Sequence, residues 1–114
     1  MSDCLFCRII AGEIPATKLF EDDRMIAFND ITPQAPLHAL VVPRKHIATL
    51  NDLEPDDETL VGAMTRRAAL IAADHGYAAS GYRTVFNCNK DAGQAVFHIH
   101  LHVLAGRSLA WPPG

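Results

Sequence analysis

Phe97-His98-Ile99-His100-Leu101-His102-Val103-Leu104 alternates apolar and imidazole side chains without a break. Strict alternation marks a β-strand, whose successive side chains point to opposite faces. The pattern predicts that Phe97, Ile99, Leu101 and Val103 face a core while His98, His100 and His102 line the other face in one row. Side chains two apart on a strand face stand ~7 Å apart along the backbone, so these imidazoles could serve one small substrate group or share one ion. Histidine titrates near neutral pH without perturbation, and the row holds three of the chain's six. Two chemistries use such a row. One is three-His metal binding; the other is an imidazole nucleophile whose neighbours orient it, stabilise charge or deliver protons.

The flanks point toward phosphorus. Gly93-Gln94 stands just before the row, preceded by Asp91. A glycine there lets backbone N–H groups approach an anion, although the same glycine also suits a plain turn before a strand.

At 114 residues the chain is long enough for one domain, 1–114, with one core. Its 49% hydrophobic and 20% charged residues describe an ordinary globular composition. A formal charge of −3 argues against electrostatic nucleic-acid binding. No apolar run approaches the ~18 residues of a membrane span. Met1-Ser2-Asp3-Cys4 lacks the basic and long apolar regions of a secretory signal, which predicts a cytoplasmic protein. Three cysteines, an odd count kept reduced there, predict no disulfide framework.

Taken in order, the stretch Cys4 to Pro15 reads as a short helix, with Leu5, Phe6, Ile9 and Ile10 at helical spacing, stopped by Gly12 and barred from continuing by Pro15. Cys4-x-x-Cys7 could supply two of four zinc ligands or two small buried side chains. Lys18–Glu21 and Arg24–Asp30 read as a hairpin turning at Asp22-Asp23. Asp30, at a strand end, could hold sugar hydroxyls or simply start a turn. Leu37–Pro43 reads as a buried central strand, inside which His38 needs a partner. Arg44-Lys45-His46 follows as a basic exit from which His46 could reach a ligand set. Glu54–His75 reads as the long helix, with Leu60, Val61, Met64, Ala68, Ile71 and Ala72 as its buried stripe. Gly81–Asn89 reads as a strand, and Asn89–Gly93 as the loop that brings Asn87 beside the histidine row. Trp111, near the end, should dock on this chain or another copy unless the tail frays.

Gly93-Gln94 together with His98-x-His100-x-His102 resembles the histidine triad superfamily, and most closely its Hint branch, the nucleoside phosphoramidases. The likeness runs over nearly the whole chain, through Ile14-Pro15-Ala16, Asp30-Ile31, Pro33-Gln34-Ala35-Pro36, His38, Gly81-Tyr82-Arg83 and Trp111-Pro112-Pro113-Gly114. The resemblance implies an α+β fold with a five-stranded antiparallel sheet, one long helix and a short N-terminal helix, paired into a homodimer. It implies hydrolysis of purine nucleoside 5′-phosphoramidates and aminoacyl adenylates through a nucleotidyl-histidine. His100 matches the nucleophile, His98 and His38 its surroundings, and His102 the contact to phosphate and leaving group. Asp30 matches the ribose-binding acid, with Ile31 beside it. Asn87, Gly93 and Gln94 match phosphate-side contacts, and Leu5, Phe6, Ile9, Phe28 and Leu40 match the base pocket.

A proton for the departing amine could come from a neighbouring imidazolium. A third His where related uridylyltransferases have Gln favours hydrolysis over transfer. Ala95 departs from the pattern, since many relatives carry Ser near the leaving group. Cys4, Cys7, His46 and His98 resemble a structural zinc site of some bacterial relatives, while no cofactor is implied for catalysis. Three other readings compete: a zinc hydrolase using the three His directly, a nucleotide-binding interaction module, and a dinucleoside polyphosphate hydrolase.

Overall fold

The computed structural model describes residues 3–114, so Met1 and Ser2 of the N-terminal reading lie outside the described residues. Helix α1 (Leu5–Ile10) leads into strands β1 (Lys18–Glu21), β2 (Met25–Asn29) and β3 (Leu37–Pro43). Two 3-10 turns, Leu50–Asp52 and Pro55–Asp57, precede helix α2 (Glu58–Asp74). Strand β4 (Tyr82–Val85), the one-turn helix α3 (Asn89–Ala92) and strand β5 (Leu101–Ala105) follow. The five strands form one sheet in the order β1-β2-β3-β5-β4, with every pair antiparallel.

Period-two alternation divides the sheet into two dry faces. Met25 and Ala27 of β2, Ala39 and Val41 of β3, and Leu101 and Val103 of β5 join Met64, Ala68, Ile71 and Ala72 of α2 in the larger core. Ile26, Phe28, Leu40 and Val42 face the other way, against Phe6 and Ile9 of α1. A central strand sandwiched between helices has no solvent face to reserve for polar residues. All seven residues of β3 are accordingly buried, His38 among them. The α2 stripe holds at Met64, Ala68, Ile71 and Ala72, whereas Leu60 and Val61 are only half-buried.

Several boundaries differ from the sequence expectation. The helix expected from Glu54 begins at Glu58, because the Asp57 carboxylate accepts the Glu54 N–H at 2.9 Å and closes a separate turn around Pro55. The strand expected over 81–89 stops pairing after Val85, which lies opposite His102. The expected return loop is helix α3, closed by Gly93 at φ +79°, a left-handed position that glycine occupies without strain. The histidine row is a strand only from Leu101. Phe97, expected in the core, is 51% exposed because the chain has not yet entered the sheet there. Arg83 donates to the Ala110 carbonyl at 2.9 Å and ties down the tail, while Trp111 stays 83% exposed on this chain. The three cysteines form no disulfide.

Candidate active site

A cavity of ≈ 380 Å³ opens between α1, the β2–β3 end of the sheet and the segment that leads into β5. Its inner wall is apolar: Phe6 and Ile9 from α1, Phe28 from β2 and Leu40 from β3, with Leu5 at the rim. Asp30, Asn87, Gly93, Ala95, His100 and His102 gather at the polar end, and Ile31 stands at the mouth, 96% exposed. The lining also includes Ile14, Pro15, Ala16 and Val96, which sequence reasoning left without a role. Their signal was present, since Ile14-Pro15-Ala16 is one of the segments that carry the resemblance. A slot with one apolar and one polar, imidazole-bearing end suits a flat apolar ring joined to an anionic group.

Backbone partners fix which nitrogen of each imidazole carries the proton, because a carbonyl only accepts and an amide N–H only donates. His100 Nδ1 lies 2.8 Å from the His98 carbonyl and must donate to it. The lone pair of neutral His100 is therefore on Nε2. His98 Nε2 donates to the Pro43 carbonyl at 2.7 Å, leaving its lone pair on Nδ1. His38 Nδ1 accepts the Gln34 N–H at 3.0 Å, so its Nε2, 2.8 Å from His102 Nδ1, is the donor of that pair. The Phe6 ring stands edge-on to His100, centroids 4.9 Å apart, and the His100 and His102 rings are 5.0 Å apart.

Burial lowers the pKa of all four rings below the ordinary imidazole value, since a desolvated ring resists charging. For His102 the neighbouring His100 and His38 add to burial and bring it to about 4. Asp30 opposes the shift at His38, at His100 and at His102 without overcoming burial. The imidazolium expected to supply a proton is thus not resident at neutral pH. A neutral His100 is the state a nucleophile requires.

Two expected site residues stand elsewhere. The His98 ring is fully buried and turned away from the cavity toward Cys4, Cys7 and His46, so it meets the site only through its carbonyl. Gln94 has no donor left for a phosphate. Its amide Nε2 is spent on the Ala48 and Val96 carbonyls, its N–H on the Asn89 carbonyl, and its Oε1 accepts from the Asn89 N–H. His38 does not line the cavity and meets it through His102, at 2.8 Å, and Asp30, whose carboxylate is 3.5 Å from His38 Nε2. Asp30 combines both readings offered for it: one carboxylate oxygen accepts the Thr32 N–H at 2.8 Å, while the residue lines the cavity.

Cys4, Cys7, His46 and His98 form a second cluster under α1. The Cys4 Sγ–His98 Nδ1, Cys7 Sγ–His98 Nδ1, Cys7 Sγ–His46 Nδ1 and His46 Nδ1–His98 Nδ1 separations are 3.4, 3.5, 3.3 and 3.1 Å. A tetrahedral zinc ion with Zn–S near 2.3 Å and Zn–N near 2.0–2.1 Å would set the N–N edge at ~3.3 Å and the S–N edges at ~3.5 Å, within a few tenths of an ångström of each separation. The His98 lone pair points into the cluster while its other nitrogen donates to a backbone carbonyl, as metal-bound imidazoles commonly do. This donor set fits zinc. Asp30, His38 and His102 also lie close together, but they do not fit a metal. The Gln34 N–H occupies His38 Nδ1 and leaves a proton, not a lone pair, on Nε2.

The family model described as scavenger mRNA decapping enzyme C-term binding matches residues 3–110. A purine nucleoside phosphoramidase of Escherichia coli is 45% identical over 107 residues, covering 94% of this chain and 90% of that protein. An uncharacterized HIT-like protein of Synechococcus elongatus is 47% identical over 112 residues, or 98% of this chain and 97% of that one. Among solved structures, a HIT family hydrolase from Legionella pneumophila superposes with a TM-score of 0.96 at 54% identity, covering 98% of this chain and all of that one. A histidine triad protein from Clostridium difficile superposes at 0.92 with 45% identity and 96% coverage of both chains.

Proposed function

The chain belongs to the histidine triad family of hydrolases, and from that premise we propose that it hydrolyses purine nucleoside 5′-phosphoramidates, and with them aminoacyl adenylates, to the nucleoside monophosphate. The observation that carries this reading is the His100 tautomer. Its Nδ1–H is spent on the His98 carbonyl, which leaves the Nε2 lone pair on a ring that lines the cavity between apolar slot and polar end. The 45% identity to a relative named for the same activity supports it.

In the proposed reaction the purine lies in the slot of Phe6, Ile9, Phe28 and Leu40, and the ribose hydroxyls meet Asp30. His100 Nε2 attacks phosphorus, forming a P–N bond to the ring as the P–N bond to the amine breaks. With no resident imidazolium, the departing amine takes its proton from water at the open rim. The hydroxyl of that water then displaces His100 from phosphorus, and the sum is one hydrolysis. His102 and the Gly93 loop donate to the phosphoryl oxygens, where preorganised donors matter most. Catalysis needs no metal in this scheme. Zinc, held by Cys4, Cys7, His46 and His98, is proposed as a structural ion that pins α1 to the chain entering β5. Thiolate ligands suit a reducing cytoplasm. The proposed working unit is a homodimer, supported by the outer edge of β4, which no strand among the described residues covers.

The test is trapping. Enzyme quenched during turnover should carry a nucleotide on His100 by peptide mass spectrometry. His100→Ala should lose turnover by at least ~10³-fold while still binding the monophosphate. Product formation without any adduct, or turnover surviving in the variant, would remove the assignment.

A further inference from the structure

His38 lies inside the site, yet neither of its ring nitrogens faces substrate. Nδ1 takes the backbone N–H of Gln34 at 3.0 Å, and Nε2 gives its proton to His102 Nδ1 at 2.8 Å. The consequence falls on His102. With Nδ1 acting as acceptor, the neutral ring carries its proton on Nε2 and offers a donor. The direction of this relay is set by one peptide N–H, in the connection between β2 and β3, and is favoured by the Asp30 carboxylate, an acceptor 3.5 Å from His38 Nε2.

That connection is held from several sides. The Thr32 N–H closes a turn on Asp30 at 2.8 Å, and the Gln34 side chain donates to the Thr32 carbonyl at 3.0 Å. A tie from beyond β5 comes from Arg107, whose Nε donates to the Gln34 carbonyl at 2.9 Å while its terminal nitrogen donates to the Ser108 carbonyl at 3.0 Å. Arg107 stands two residues beyond β5, the strand that carries His102. One guanidinium thereby fastens the loop that sets the tautomers to the strand that displays their outcome.

We propose that Arg107 is a positioning residue: by holding the Gln34 carbonyl it fixes the backbone of the residue whose N–H His38 accepts, and through it the His38 and His102 tautomers, keeping His102 a neutral Nε2–H donor toward the phosphoryl group. The role of that donor rests on the phosphoryl-transfer reading above, whereas the tautomers do not. Such a His102 stabilises charge without acting as an acid. Accepting a second proton on Nδ1 would set two N–H groups against each other across a 2.8 Å contact. Burial of His38 acts in the same direction by keeping that ring uncharged.

The experiment uses the full chain labelled with ¹⁵N-histidine. Long-range proton–nitrogen correlation of the ligand-free protein at neutral pH should show His38 and His102 both protonated on Nε2. His38 protonated on Nδ1 in the wild type overturns the proposal, and this measurement needs no variant and no substrate. In Arg107→Ala the two rings should show mixed tautomers. Its kcat for a fluorogenic adenosine 5′-phosphoramidate should fall by about three- to tenfold, the scale of one hydrogen bond, with KM and AMP binding within about twofold. Arg107→Lys, which can still reach the Gln34 carbonyl, should recover part of both. Wild-type tautomers and kcat in Arg107→Ala, or a folded Arg107→Lys as impaired as alanine, would sink the positioning role. If the wild type does not turn over the phosphoramidate, the functional reading fails while the tautomer result stands.

Discussion

At the scale of single residues, burial disfavours charge on the imidazoles of the site. His102 is brought to about 4, and His38, His98 and His100 are lowered as well, with burial the first cause in each. The unfolded chain therefore binds protons that the folded chain refuses. Stability from this source is complete above the ordinary imidazole value of 6.5 and is lost as pH falls toward 4. Melting temperature should decline through that window, and His102→Asn should decline less steeply; equal slopes would show that His102 does not drive the loss. Ala95 lines the cavity with Asn87 and His102, and in the proposed reaction its methyl replaces a hydroxyl that would meet the leaving group. Ala95→Ser should change the ratio of kcat/KM between two phosphoramidates of different amines by about two- to tenfold, as one added hydrogen bond would. An unchanged ratio would mean that the amine leaves along another path.

At the scale of elements, α1 serves two sites with one turn and a half of helix. Phe6 and Ile9 form the slot wall, while Cys4 caps the helix and, with Cys7, faces His46 and His98. Six residues hold little helix stability of their own, so tertiary anchors must keep the wall in place. Purified protein should contain about one zinc per chain. Cys7→Ser should lose it together with at least ~5 °C of melting temperature. Metal analysis that finds no zinc, under conditions that exclude stripping, would leave the cluster as thiol–imidazole hydrogen bonding.

At the scale of the molecule, the sheet ends in β1 and β4, and an uncovered edge strand is a pairing surface that proteins rarely leave bare. Tyr82 on β4 is 39% exposed. Sedimentation at micromolar concentration should therefore report twice the chain mass of 12.4 kDa. A monomer at that concentration would show that the edge is protected in some other way. No helix among the described residues is long and apolar enough to cross a membrane.

The sequence by itself determined the elements and the chemistry on offer. A nearly unbroken apolar run marked β3 to the residue, glycine and proline punctuation marked α1, and three imidazoles at spacing two marked the site, because these signals are local. It did not determine where each ring points. The row reads as one face of one strand, yet the chain enters the sheet only at Leu101, and His98 turns into a different cluster. Gln94 looked like a phosphate contact until its partners at Ala48, Asn89 and Val96 consumed its amide. Tautomers were likewise beyond reach, since they depend on Gln34, His98 and Pro43 backbone groups brought in by folding. A hydrogen bond is settled by two partners, and a periodic pattern names only one of them.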